Sequence, residues 1–167
     1  NTGDLTLSAW VNFDTAADEE TIIYQGTAGS ETEVNNELYF LRLDTTSGND
    51  IEYGHENSAG TDNYNIFDTN LSANTWYHIA FSRDTTSNSV KFFINGLQVG
   101  SDYSYTNDAS GGSTGNMTTG ADSSGADDFD GTIDNVRIYN RALTPAEIQR
   151  LYNWAPGPVG SWKLDEG

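Results

Sequence analysis

The sequence predicts an all-β sandwich of two antiparallel sheets with one short helix near its C-terminal end. Three observations carry that prediction. Apolar residues recur at period two in runs of five to eight residues. The runs are separated by clusters of Gly, Ser, Asn and Asp. Only one segment has the start signals of a helix. Short alternating runs between turn-forming clusters are the pattern of half-buried antiparallel strands, and a length of 167 residues suits one domain with a real core.

In chain order, Leu5, Leu7, Ala9 and Val11 alternate with Thr6, Ser8, Trp10 and Asn12, so one face is apolar. Across Glu37–Leu43, Leu38 and Phe40 alternate with Tyr39, Leu41 and Leu43. Tyr77, Ile79 and Phe81 alternate with Trp76, His78 and Ala80, and Val90, Phe92 and Ile94 with Lys91 and Phe93. Asn95-Gly96 then joins this run to Leu97–Val99; Asn-Gly tolerates the positive φ angles of a type I′ hairpin turn. Ile133, Val136 and Ile138 form a late strand with one break in phase. The segments Thr45–Asp50, Ser58–Asn63, Thr85–Ser89 and Asn107–Asn116 read as turns or loops. The helix starts at a capping box, with Thr144 as N-cap, Pro145 at the first helical position and Glu147 reaching back. Ile148, Leu151 and Tyr152 give it one apolar face. Ala155-Pro156-Gly157-Pro158 reads as a linker, dividing residues 1–158 from a further strand-like segment, Val159–Gly167.

Charge excludes several functions. The chain has 25 Asp and Glu against 7 Lys and Arg, a net charge of -18. Nucleic acid needs clustered cations, and an anionic membrane surface needs them too, so neither is an expected partner. No apolar run is long enough to span a bilayer, so membrane insertion is not expected. The N-terminus lacks the basic-then-apolar pattern of a signal peptide. Cysteine is absent, which removes disulfides, thiolate metal sites and cysteine catalysis together. Acidity of this size serves solubility or divalent-cation binding.

Four stretches in order, Leu5–Val11, Trp76–Arg83, Val90–Gly96 and Phe129–Glu147, resemble the laminin-G-like domains of the concanavalin-A-like superfamily, in the branch found in bacterial surface and secreted proteins. The resemblance implies a jelly roll with six or seven strands in each sheet, one sheet concave. It also implies an extracellular or cell-surface location. One motif is out of place. The family's opening strand, of the form W-x-x-D-E-G, occurs here at the end as Trp162–Gly167. Either it begins the next repeat of a tandem array, or it completes this domain or a neighbouring one, with a strand-swapped dimer as one form of the latter.

The chemistry points to binding rather than catalysis. The paired-carboxylate E-x-D-x-x-E signature of the superfamily's glycoside hydrolases is missing, as is H-E-x-x-H. His55 and His78 sit in or beside strands and read as structural. For calcium, the loop Asp122–Asp130 carries four Asp residues, among them Asp122, Asp127 and Asp128, although a solvated acidic loop is the equal alternative. The resemblance implies one calcium near Asp134 with Asp165 or Glu166, and a second on the rim, where Glu37 would pair with Asp122, Asp127 or Asp128. For sugars, aromatic faces stack on pyranose rings. Tyr103 and Tyr105, two apart in the polar stretch Ser101–Asp108, are the expected exposed pair, with Tyr64 next. The expected function is a non-catalytic, calcium-supported module, part of a larger adhesive protein, that recognises a glycan or glycoprotein through one sheet edge and the rim loops Ser101–Gly115 and Asp122–Asp130. The alternatives are a spacer among neighbouring repeats of the same chain, and an accessory domain of a polysaccharide-degrading enzyme.

Overall fold

The computed structural model describes residues 3–14, 20–26, 37–44, 48–57, 61–67, 69–106, 115–122, 124–125 and 127–154, without the side chains of Glu37, Leu38 and Asp62. The Val159–Gly167 segment, and with it Asp165, lies outside the described residues. Ten strands and one helix follow in order: β1 (Leu5–Phe13), β2 (Glu20–Gly26), β3 (Glu37–Asp44), β4 (Asp50–Glu56), β5 (Asp62–Phe67), β6 (Tyr77–Asp84), β7 (Ser89–Ile94), β8 (Leu97–Ser104), β9 (Met117–Thr119), β10 (Gly131–Tyr139) and α1 (Pro145–Trp154). They form two five-stranded antiparallel sheets, ordered β10-β1-β6-β7-β8 and β5-β4-β3-β2-β9. The expected sandwich is therefore present, with five strands per sheet among the described residues rather than six or seven.

The alternation in β1 does what its pattern requires. Leu5, Leu7, Ala9, Val11 and Phe13 point inward with Ile79, Phe81, Val90 and Phe92, against Leu41, Leu43, Ile51 and Tyr53 of the other sheet. Each such side chain, fully buried, contributes about 1.5–3 kcal/mol. The opposite face of the first sheet is covered as well. Ala80 and Phe93 pack under Ile148 of α1 and Leu143 of the loop before it. That loop is fastened to the sheet: Thr6 Oγ1 donates to the Arg141 carbonyl at 2.8 Å and accepts from the Leu143 N–H at 2.9 Å, while Ser82 Oγ donates to the Leu143 carbonyl at 3.0 Å. The capping box forms as read. The Thr144 N–H donates to Glu147 Oε2 at 2.9 Å, and both Arg141 Nη atoms donate to the same carboxylate. Those bonds, Arg141 foremost, hold the Glu147 carboxyl down at about 2.

The Asn95-Gly96 turn adopts φ of 50° and 78°, both positive as a type I′ turn demands. Its position is locked from both sides. The Asn95 N–H donates to the His78 carbonyl at 2.8 Å, and Asn95 Oδ1 accepts from the His78 N–H at 2.9 Å. A Cβ at Gly96 would lie 3.1 Å from Cβ of Tyr152, so the absent side chain lets the hairpin tip meet α1. The phase break in β10 is a bulge. Between Ser8 and Trp10 of β1 the partner strand runs from Arg137 to Asp134, one residue too many, and Asn135 takes φ 49°.

Four strands, β2, β4, β5 and β9, escaped the sequence pattern, and two of them show why. In β2, Ile22 and Ile23 are adjacent and both fully buried, because a register shift there rotates one of them inward out of turn. In β4, Ile51 and Tyr53 enter the core while Asp50, Glu52 and Glu56 are also buried on the other face, so a polar-looking run is a central strand. On that face Gly54 lies under the Phe40 ring, with the Arg42 guanidinium 4.5 Å from the ring centroid.

A Cβ at position 54 would come within 2.1 Å of Phe40 Cζ. Gly54→Ala should therefore lower unfolding free energy by about 1–3 kcal/mol in urea titration. A second prediction concerns His78, which is buried against Trp10, with ring centroids 5.5 Å apart. Burial, and secondarily Arg137, lowers its pKa from 6.5 to about 4. The unfolded chain takes up this proton below pH 6.5 while the folded protein resists until about 4. Stability from this group is complete above 6.5 and is lost as pH falls to 4, by up to about 3 kcal/mol. Denaturation midpoints across that window should fall less for His78→Gln than for the parent protein.

Candidate functional site

The two sheets do not close equally on both flanks. On one flank the end strands are β5 and β8, and between them opens a cleft of about 500 Å³. That falls within the ~300–1,000 Å³ of small-molecule sites. Phe67 and Val99 lie in it, with Asn65, Asp102 and Tyr103 supplying polar atoms. Its shape follows from an irregularity in β8. Val90 pairs with Tyr103 and Phe92 with Val99, so Gly100, Ser101 and Asp102 together face Lys91 alone. Gly100 accommodates the bend at φ 67°, and a Cβ there would meet nothing within 4 Å. Asp102 fixes the bend: Lys91 Nζ donates to one carboxylate oxygen, and Gln98 Nε2 to the other at 2.9 Å. Lys91, followed by Gln98, keeps the Asp102 carboxyl below its usual range, so it is ionised at neutral pH.

The three tyrosines read from the sequence divide here. Tyr103 is half-buried, packs against the core edge and lines the cleft. Tyr64, on β5, is 57 % exposed and stands close enough to Tyr103 that it adds to the burial-driven rise of the Tyr103 pKa. Tyr105 is a correction. It is 4 % exposed, and its ring meets His55 edge-on at 4.7 Å between centroids. Period two places it on the same side as Tyr103, but that side faces inward once β8 ends at Ser104. The stretch from Ser101 to Ser104 is likewise strand, not loop. Asn65 and Asp102 were missed as lining residues, because nothing local marks the facing of β5 and β8. Trp10, Tyr39 and Tyr53 are core.

The acidic candidates are not assembled into one site among the described residues. No three His, Asp or Glu side chains converge there. Asp134 is exposed on β10, and its Oδ1 accepts the Asn135 N–H at 2.6 Å. Asp122 accepts from Ser124, backbone N–H and hydroxyl both at 2.8 Å. Asp127, at φ 51°, uses its carbonyl to hold the Thr21 N–H at 2.8 Å, and Asp128 is exposed. Calcium takes six to eight oxygens, and the described carboxylates alone do not offer that set. The Glu37 side chain and all of Asp165 lie outside the described residues.

Neither histidine is placed for proton transfer to a ligand. His78 is sealed beneath Tyr152 and Trp10, and His55 Nδ1 shares a 2.9 Å hydrogen bond with the buried Tyr53 hydroxyl. Among the described residues no helix is long and apolar enough to cross a membrane.

Comparison with known proteins agrees with this architecture. A search of curated proteins finds no match. Among solved structures, domain 4 of an extracellular GH43 arabinanase from Geobacillus stearothermophilus, in complex with arabinotriose, is similar with a TM-score of 0.66 and 22 % identity. The alignment covers 90 % of this chain and 66 % of that one. The CBM40 module of the Ruminococcus gnavus IT-sialidase, bound to α2,3-sialyllactose, gives 0.70 at 15 % identity over 90 % and 83 %. A heptameric pentraxin from Limulus polyphemus gives 0.66 at 13 % over 89 % and 69 %. At these identities the structures share the fold alone. The family model for the concanavalin A-like lectin/glucanases superfamily, of laminin-G type, matches residues 1–149. The match spans most of the sandwich, and the chain belongs to the concanavalin A-like lectin/glucanases superfamily.

Proposed function

We propose that this domain is a non-catalytic glycan-binding module of a larger secreted or surface protein, with the cleft between β5 and β8 as its binding surface. One observation carries the reading: a half-buried Tyr103 lines a cleft whose polar groups include an ionised Asp102 and Asn65, with the exposed Tyr64 of β5 near Tyr103. A tyrosine ring offers a flat apolar face to the C–H side of a sugar, and carboxylate and amide groups bond its hydroxyls. Support comes from the relatives, since an arabinanase domain of this fold was solved with arabinotriose and a sialidase module with sialyllactose. The arabinanase relative also favours a specific setting, an accessory domain attached to a polysaccharide-degrading enzyme. A spacer repeat in an adhesin is the competing role.

Calcium support is part of the proposal. It requires Asp165 or Glu166 to join Asp134, or Glu37 to join Asp122, Asp127 or Asp128. The reading of Val159–Gly167 as a completing strand is also proposed. Its support is the flank opposite the cleft. There the inward side of β10 leaves Ile133 and Val136 only half-buried and Ile138 41 % exposed, while Met117 of β9 is 42 % exposed.

Binding to a glycan array, with and without chelator, tests the first reading. Tyr64→Ala should keep the parent's melting temperature, since an exposed substitution costs within about 0.5 kcal/mol, and should weaken glycan binding at least about tenfold. Tyr105→Ala, by contrast, should lose about 3–5 kcal/mol of stability. Absence of binding to every glycan, with only a calcium-dependent melting shift, favours the spacer. If calcium binds near Asp134, Asp134→Ala erases that shift. Removal of residues 159–167 should lower the melting temperature of the domain; an identical melt means that the segment does not complete this sandwich.

A further inference from the structure

We infer that the cleft between β5 and β8 takes uncharged sugars and rejects acidic ones such as sialic or uronic acid residues. This rests on the cleft being the glycan site, and adds the class of glycan. The arabinanase and sialidase relatives leave that class open, because one ligand is neutral and the other carries a carboxylate.

Charge at the cleft decides it. Of the described side chains lining it, only Asp102 is charged at neutral pH, and it is negative. An acidic sugar there needs a cation to replace the water it loses, because a buried carboxylate without a partner is costly. The nearest described cation, Lys91, is already engaged by Asp102 across the β8 bend. The remaining described cations are committed elsewhere or lie on other surfaces. Arg42 pairs with Glu52, and Arg141 with Glu147. Arg83 is fully buried beneath the Gly3 carbonyl, Arg137 lies over the Trp154 ring, and Arg150 projects from α1. The net charge of -18 adds a long-range repulsion of anions.

The same groups suit a neutral sugar. Asp102 has lone pairs only, and a sugar hydroxyl is a donor. β5 and β8 are the end strands of their sheets, so each presents backbone N–H and C=O groups along a free edge among the described residues. Gly100 leaves open room in front of that edge. Tyr64, with Ile66 at 39 % exposure beside it, gives the apolar face.

The experiment pairs neutral and acidic ligands of matched core: lactose with sialyllactose, and galacto-oligosaccharides with galacturonan oligosaccharides. Titration calorimetry is run on the parent protein, Tyr64→Ala and Asp102→Asn, at low and high salt. The parent protein should bind the neutral member roughly tenfold or more tightly than its acidic counterpart. Asp102→Asn, which removes the negative charge and releases Lys91, should narrow that gap, as should high salt. Should the Asn variant fold poorly, the salt series on the parent protein carries the same test. Equal affinity for both members, with both lost in Tyr64→Ala, overturns the charge discrimination and leaves the cleft as the site. A gap unmoved by Asp102→Asn and by salt overturns its electrostatic basis. Binding of neither class, or binding indifferent to Tyr64→Ala, removes the cleft as the site and this inference with it.

Discussion

Everything in this domain is hung on strands buried from both sides. β1 and β6 have sheet partners to left and right, the second sheet within, and α1 with its preceding loop without. A strand with one buried face can slip by two residues and keep its pattern. Here such a slip would also move Thr6 and Ser82 away from the Arg141–Leu143 backbone they bond, and Ala80 away from Ile148. Register is thus fixed twice, by apolar fit inside and by hydrogen bonds outside. The hairpin tip at Asn95-Gly96 and the capped helix are consequences, since each sits where the outer face must be closed.

The flanks are where this constraint relaxes. At the end strands only one neighbour fixes the backbone, and β8 uses that freedom to bend at Gly100–Asp102. The cleft owes its existence to that bend, and its polar character to the groups that hold the bend in place. Packing and surface roles are thereby separated. Tyr39, Tyr53 and Tyr105 serve the core, and Tyr64 is left to the surface.

Much of this was legible in the chain. Alternation in β1, β6 and β7 named the inward residues, because central strands with one apolar and one mixed face have nowhere else to put them. Asn95-Gly96 and Thr144-Pro145-Ala146-Glu147 were legible since their signals are local and stereochemical. The broken phase of β10 was visible as well, and Asn135 explains it. What resisted reading was non-local. Ile22 and Ile23 hid β2 behind a register shift, and Asp50, Glu52 and Glu56 gave β4 the look of a loop. Tyr105 was misplaced because His55, fifty residues away, receives its ring. The cleft needs β5 beside β8, a proximity that no spacing within either strand encodes.

The bend in β8 has one more effect. An eight-residue end strand with mostly outward-facing side chains is a template on which another chain's strand could lie down and extend the sheet without limit. A straight template is needed for that. The three residues facing Lys91 break the spacing of the free N–H and C=O groups, and the Lys91–Asp102 pair places charge at the break. In a protein of net charge -18, a sheet margin broken in this way resists extension by the strand of a second polypeptide.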